Sequence, residues 1–308
     1  MRAGASILGM LALLAGCGGD DAQTAEGLPL PPAGASRWSA IERDDDGDGL
    51  AESITRYAYD ALGRRVSQLT WRAERGVATG QPIEQHAWSY DSASRVLTQV
   101  VEDSRSRRTV SASYGADGLL ASTRLQWQGS ASVATTTYEW QRLRLVRAAT
   151  DGASGPVTQR FFYGADGRIE RVESRFGGRD EVDTASYRWR LDGQLSSASF
   201  SLAVGNLIIH RLTHDALGRP VRSETTDDGF EDEARRFFHD ARGRLERIEV
   251  DSQPSGFGDA DFASDATYRI RWEDGLCQPT YLPALPPTFD RQITLQGRSD
   301  GASLGCAG

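Results

Sequence analysis

Tyr59-Asp60-Ala61-Leu62-Gly63-Arg64-Arg65-Val66 is rewritten along the chain as Tyr163-Gly164-Ala165-Asp166-Gly167-Arg168-Ile169, His214-Asp215-Ala216-Leu217-Gly218-Arg219 and His239-Asp240-Ala241-Arg242-Gly243-Arg244-Leu245. Looser copies begin at Tyr90, Tyr114, Trp140, Trp189 and Trp272, which makes nine anchors 23 to 33 residues apart. A second apolar residue stands two positions earlier at Tyr57, Trp88, Tyr138, Phe161, Tyr187, Leu212, Phe237 and Ile270. Residues two apart share one face of a strand, so each anchor is expected to close a half-buried strand.

After the anchor come Asp at the first position of a turn and Gly at the fourth, the preferences of a type I turn. Asp60 can accept from backbone N–H groups two residues on, and Gly63 takes a positive φ without a Cβ penalty. Gly167, Gly193, Gly218 and Gly243 fill the same slot. A return strand then opens on Arg and an aliphatic residue, so one repeat is a β-hairpin. A lone hairpin is marginal in water, and the repeats gain stability only by pairing side by side. The expectation is an all-β, repetitive antiparallel β-hairpin meander of roughly 18 strands, more than the ~10 that an open twisted sheet usually holds. Such a meander predicts a large coiled or rolled sheet with its Tyr/Trp/Phe stripe on the inner face.

These units resemble the YD repeats of the rearrangement-hotspot (Rhs) family over about Trp38 to Leu276. The resemblance implies hairpins wound into a shell, which in large members of that family encloses a toxin domain. Only about 32 residues follow the last unit here, too few for such a cargo, so delivery is a secondary reading.

The chain has 308 residues, is 39% hydrophobic and carries a net charge of −8, and its basic residues are all Arg. That composition suits one large core and leaves no basic footprint for nucleic acid. Residues 1–17 read as a leader: Met1-Arg2, an apolar run from Ile7 to Leu14 far shorter than a bilayer span, then Leu14-Ala15-Gly16-Cys17. The last four residues resemble a bacterial lipobox, which implies lipidation of Cys17, attachment to the cell envelope and, since Gly18 rather than Asp follows, the outer membrane in a Gram-negative host. Gly-, Asp- and Pro-rich composition over 18–37 predicts a tether, 38–276 a single repeat domain, and 277–308 a Pro-rich tail. With Cys17 assigned to lipid, Cys277 and Cys306 remain in an oxidising compartment and are expected to pair.

One motif names an ion. Asp44-Asp45-Asp46-Gly47-Asp48-Gly49-Leu50-Ala51-Glu52 places carboxylates at alternate positions around a central Gly, like the head of an EF-hand loop. Asp44, Asp46 and Asp48 would supply oxygens to a weakly held Ca2+, Leu50 a carbonyl and Glu52 a direct or water-mediated contact. Thr55 stands where the closing Glu belongs. The same offsets hold Asp228 and Asp232 before His239, and Asp259, Asp261 and Asp265 before Trp272, read as solvated remnants. His214 and His239 read as packed aromatics in the anchor slot, and His86 and His210 have no partner by spacing. Nothing in the spacing of Asp103, Glu170, Glu173 and Glu246 singles out the carboxylate pair of a glycan hydrolase. The functional expectation is therefore a lipid-anchored, non-enzymatic binding or scaffold module for a glycan or a surface protein. A carbohydrate-active enzyme is the alternative.

Overall fold

The computed structural model describes residues 34–153, 155–191, 193–203, 205–228, 230–252, 262–277 and 306–307; for 34–35, 230–232 and 306–307 the description covers backbone alone. Alternating sequence becomes strand throughout. The first strands are β1 (Gly34–Asp44), β2 (Ser53–Tyr59), β3 (Arg65–Glu74), β4 (Val77–Tyr90), β5 (Val96–Asp103) and β6 (Arg107–Tyr114). Then come β7 (Leu120–Trp127), β8 (Val133–Gln141), β9 (Arg144–Asp151), β10 (Val157–Tyr163), β11 (Ile169–Phe176) and β12 (Val182–Trp189). The circuit finishes with β13 (Leu195–Ser201), β14 (Leu207–His214), β15 (Pro220–Asp227), β16 (Phe230–His239), β17 (Leu245–Asp251) and β18 (Ala266–Cys277). A two-residue β19 (Cys306–Ala307) lies against Ser36 and Arg37 of β1.

Each strand pairs antiparallel with the next, and β18 returns to β1, from Gly34 opposite Cys277 to Asp44 opposite Thr267. The sheet is a closed barrel of eighteen strands, not the open coiled or rolled sheet expected from sequence. An open sheet leaves two edges of unpaired N–H and C=O groups, and closure removes both. β1 begins at Gly34, so residues 34–37 are wall rather than tether.

Two repeats depart from the pattern read in the sequence. After Trp272 there is no turn: β18 runs on through Glu273, Asp274 and Gly275 to Cys277, because β1 is there to pair with it. After Trp140 the hairpin is a two-residue turn, with Gln141 opposite Arg144 and positive φ at Arg142 (49°) and Leu143 (63°). That is the primed turn geometry in which Asn-Gly is favoured. A leucine in the left-handed region costs about 1 kcal/mol or more, so Leu143→Gly is expected to raise unfolding stability by about 1 kcal/mol. A denaturant midpoint that stays put at constant slope would contradict this.

The remaining turns follow one plan. Gly63 N–H donates to Asp60 C=O (3.0 Å), and Asp60 N–H to Arg64 C=O (2.9 Å). Asp60 Oδ1 accepts from the N–H groups of Leu62 and Arg64, and Oδ2 from Arg64 Nε (2.7 Å). Burial opposes ionisation of Asp60, and the Arg64 guanidinium with these N–H groups outweighs it, holding the carboxyl below its usual range. Asp91, Asp215 and Asp240 repeat the arrangement with Arg95, Arg219 and Arg244.

The anchors join one repeat to the next. Each sits at a β-bulge, as where Tyr59 faces Arg65 and Val66 is extruded. The Tyr and Trp anchor rings then donate to a carbonyl beside the bulge of the preceding repeat, as in Tyr114 to Val96 (2.8 Å), Trp140 to Leu120 (2.8 Å), Tyr163 to Leu145 (2.8 Å) and Trp272 to Leu245 (2.8 Å). Tyr59 does the same across the seam, to Trp38 (2.9 Å). The turn arginines reach forward: Arg64 stacks on Tyr90 at 4.7 Å and Arg95 on Tyr114 at 4.4 Å. A polar ring edge is thus satisfied inside an apolar wall, and the repeats are cross-linked in the same step.

The two faces of the wall differ. An inner cross-strand row reads Phe161, Val172, Ala185, Phe200, Ile208. Its counterpart on the outer face reads Glu139, Arg147, Arg160, Glu173, Thr184, Ser201. Buried residues two before the anchors, Tyr138, Phe161, Tyr187 and Leu212, build one core cluster along β7–β14, while Phe237 and Ile270 join Trp38 in a second along β16–β18 and β1. A membrane-spanning barrel carries an apolar band outward and polar residues inward. These rows of the wall have the reverse polarity.

Candidate functional site

At the end of β1 the chain leaves the sheet, and residues 45–52 carry it to β2 at the rim opposite the repeat turns. The folding of this loop follows from its acids. Asp44 Oδ1 accepts from Gly47 N–H (2.7 Å) and Oδ2 from Gly49 N–H (3.1 Å). Asp46 Oδ1 accepts from Asp48 N–H (3.1 Å), Asp48 Oδ1 from Leu50 N–H (2.7 Å), and Glu52 Oε2 from Asp45 N–H (2.5 Å). Gly47 and Gly49 have φ of 74° and 90° with open space where a Cβ would stand, so backbone conformation rather than crowding demands glycine there.

The result gathers the expected ligands. One carboxylate oxygen from each of Asp44, Asp46, Asp48 and Glu52 lies within 4.8 Å of the others. Calcium binds oxygens at about 2.4 Å, so ligands on opposite sides of one ion stand about 5 Å apart, and this set fits that sphere. Asp44 is buried, Glu52 half-buried, and Asp46 and Asp48 exposed. Leu50 sits exposed on the crest of the loop.

Arg269 of β18 was not legible from spacing. Its guanidinium donates to Asp44 Oδ2 (3.0 Å) and to the Gly49 carbonyl (3.4 Å), tying the loop to a strand 225 residues away in the chain. It neutralises one of the four carboxylates and lowers the charge left for a cation. The other acidic offsets do different work. Asp228 Oδ1 accepts from Leu207 N–H (2.8 Å), and Asp265 Oδ2 from Ser252 N–H (3.0 Å), so both hold loops together. Asp259, Asp261 and the Asp232 side chain lie outside the described residues.

Two histidines read from the sequence as having no partner have partners in the fold. On the inner face His86 Nε2 meets Glu84 at 2.5 Å and its Nδ1 meets Gln99 at 3.3 Å. That bond, acting against burial, holds the Glu84 carboxyl below its usual range. His210 Nδ1 meets Thr225 at 2.6 Å, and burial followed by the charge of Arg235 lowers its pKa to about 4. Glu84 lies two residues before His86 on β4, a same-face neighbour that the sequence reading passed over, whereas Gln99 and Thr225 come from neighbouring strands whose register a single sequence does not print. His214 and His239 take the bulge positions opposite Pro220 and Leu245, as the Tyr and Trp anchors do elsewhere. Cys17 and the Cys306 side chain lie outside the described residues, while Cys277 is fully buried.

No family model matches the chain. No curated protein matches it either. Among solved structures, TcdB2-TccC3 without its hypervariable C-terminal region is 13% identical with a TM-score of 0.41, over 73% of this chain and 12% of that one. A porin-like protein from Bacteroides uniformis is 11% identical with a TM-score of 0.44, over 80% of this chain and 99% of that one. A Photorhabdus luminescens Tc holotoxin pore is 13% identical with a TM-score of 0.27, over 68% and 14%. The chain thus spans about one eighth of the first of these. At these identities none assigns an activity.

Proposed function

We propose that the protein is a cell-envelope module of the YD-repeat type, tied to a membrane by a lipid on Cys17 and acting as a non-catalytic scaffold for a protein partner. The observation that carries this reading is the polarity of the closed wall. The aromatic stripe on which a glycan would stack lies inside the barrel, with the ring donors of its Tyr and Trp anchors bonded to carbonyls. Ladders of Arg, Glu, Ser and Thr are what the molecule presents outward, a surface suited to a polar protein interface. Cys17→Ser is expected to move the protein from the membrane pellet to the soluble fraction and to abolish incorporation of labelled fatty acid. Unchanged fractionation with no label in the parent chain would end the anchor reading.

Calcium at Asp44, Asp46, Asp48, Leu50 and Glu52 belongs to the same proposal as a structural clip. It would join the end of β1 to the start of β2, beside the strand that closes the barrel. Millimolar calcium is expected to raise the melting temperature by a few degrees, since calcium at roughly ten times a sub-millimolar dissociation constant stabilises by about 1.4 kcal/mol. Asp46→Asn is expected to remove most of that rise. An identical melt in calcium and in chelator would count against the ion. The pairing of Cys277 with Cys306 is supported by the bonded state of the Cys277 sulfur and by the backbone of β19, which lays Cys306 opposite Arg37 on the strand whose Gly34 faces Cys277.

A further inference from the structure

The two rims of the barrel are chemically unlike, and the chain enters at one of them. β1 starts at Gly34, opposite Cys277 and beside the repeat turns, and ends at Asp44 on the other rim. Sixteen residues separate Cys17 from Gly34. A flexible linker of that many residues would span about 22 Å root mean square, and a lipid on Cys17 would then bring the repeat-turn rim nearest the bilayer.

That rim carries apolar tips. Leu62, Leu191 and Leu217 occupy the outermost turn positions, and Leu217 is 77% exposed. Leu143 is exposed too, and it keeps a left-handed conformation that glycine would adopt without strain. The turn aspartates Asp60, Asp91, Asp215 and Asp240 are each paired with the arginine four residues on. Asp166 pairs with Arg168, Glu273 with Arg37 and Asp274 with Arg242, and exposed Asp117 and Glu170 stand against exposed Arg142 and Arg144, so the described rim has little net charge. Among the described residues the opposite rim exposes Leu50, Val77 and Leu207. Asp45, Asp46, Asp48, Asp180, Glu181 and Asp228 are exposed there, offset in part by exposed Arg43, Arg72, Arg75, Arg105 and Arg179, which leaves the rim with a modest excess of acids.

We propose that the repeat-turn rim is a lipid-binding surface: the barrel stands on the bilayer with Leu62, Leu143, Leu191 and Leu217 in the headgroup boundary. The acidic rim and its candidate calcium loop then point away. Apolar side chains strengthen interfacial binding in proportion to the area they bury. The anionic leaflet repels the acidic rim, which fixes the same orientation. This inference rests on the anchor reading above for its geometry, and its test does not.

The Cys17→Ser chain, which has no lipid, is sedimented with vesicles of phosphatidylethanolamine and phosphatidylglycerol. Replacing Leu62, Leu191 and Leu217 together by Gln is expected to weaken vesicle association by about tenfold or more, while Val77→Gln with Leu207→Gln on the other rim leaves it unchanged. Equal association of both variants would overturn the proposal. So would loss of a dimer, rather than of vesicle binding, in the rim variant on size exclusion, since the rim would then be an interface between copies. A circular dichroism melt confirms folding, and the single change Leu217→Gln, expected to weaken association about threefold, serves if the triple variant does not fold. In the lipidated chain, an environment-sensitive dye on Leu217→Cys is expected to shift to the blue on vesicles and one on Val77→Cys is not. If fatty-acid labelling shows Cys17 unmodified while the rim variant still loses vesicle binding, the anchor reading fails and the rim proposal stands.

Discussion

Gly63→Ala is expected to cost about 3 kcal/mol of unfolding stability, far more than the same change at other turns. Gly63 has φ of 77°, and a Cβ there would stand 2.4 Å from the carbonyl oxygen of Leu276, a backbone atom that cannot swing away. The left-handed conformation costs about 1 kcal/mol for a residue with a Cβ, and forcing β18 outward adds a further overpacking term of about 1–3 kcal/mol. Gly118→Ala is the control. Its φ of 79° is the same, and its nearest neighbour is the end of the Arg95 side chain at 3.5 Å, which can move. About 1 kcal/mol is expected there. Equal losses from the two variants in denaturant titrations would mean that the end of β18 does not press on the first repeat turn.

Leu145→Ala is expected to lower stability by about 3–4 kcal/mol and the melting temperature by about 10 °C. Leu145 opens β9 opposite Trp140, is 0% exposed and lies in the cluster that unites β7 to β14. Truncation leaves a void in a wall whose neighbours are held by their own hydrogen bonds and cannot collapse to fill it. The backbone carbonyl that takes the Tyr163 hydroxyl survives the change, so the loss measures packing alone. Leu217→Ala, at an exposed turn tip, is expected to stay within about 0.5 kcal/mol of the parent. A small loss at Leu145 would show a loosely filled interior.

Much of the hairpin chemistry was legible because it is local. Asp60 and Gly63 are three residues apart, and the turn that joins them needs nothing from elsewhere. The residues two before the anchors, such as Phe161 and Tyr187, announced the buried face through their period, and the face proved to be the core. The acidic loop was legible for the same reason: Asp44, Asp46, Asp48 and Glu52 converge within nine residues of chain. What failed at Trp140 and Trp272 failed where local chemistry competed with pairing. Gln141-Arg142-Leu143-Arg144 has no turn glycine and still turns, because β8 and β9 are pulled into register. Trp272-Glu273-Asp274-Gly275 has turn residues and stays extended, because β1 lies alongside.

The sequence by itself determined a chain of hairpins, the face each buries and the acids that gather at one loop, since periodicity, turn chemistry and short-range carboxylates act within a few residues. Tertiary structure alone decided that β18 meets β1 and closes the wall. It also placed Arg269 on Asp44, brought Gln99 to His86 and Thr225 to His210, and put the apolar turn tips on the rim where the chain enters. Each of these depends on which strand lies beside which and in what register, a choice made by hydrogen-bonded edges and shared burial between residues far apart in the chain.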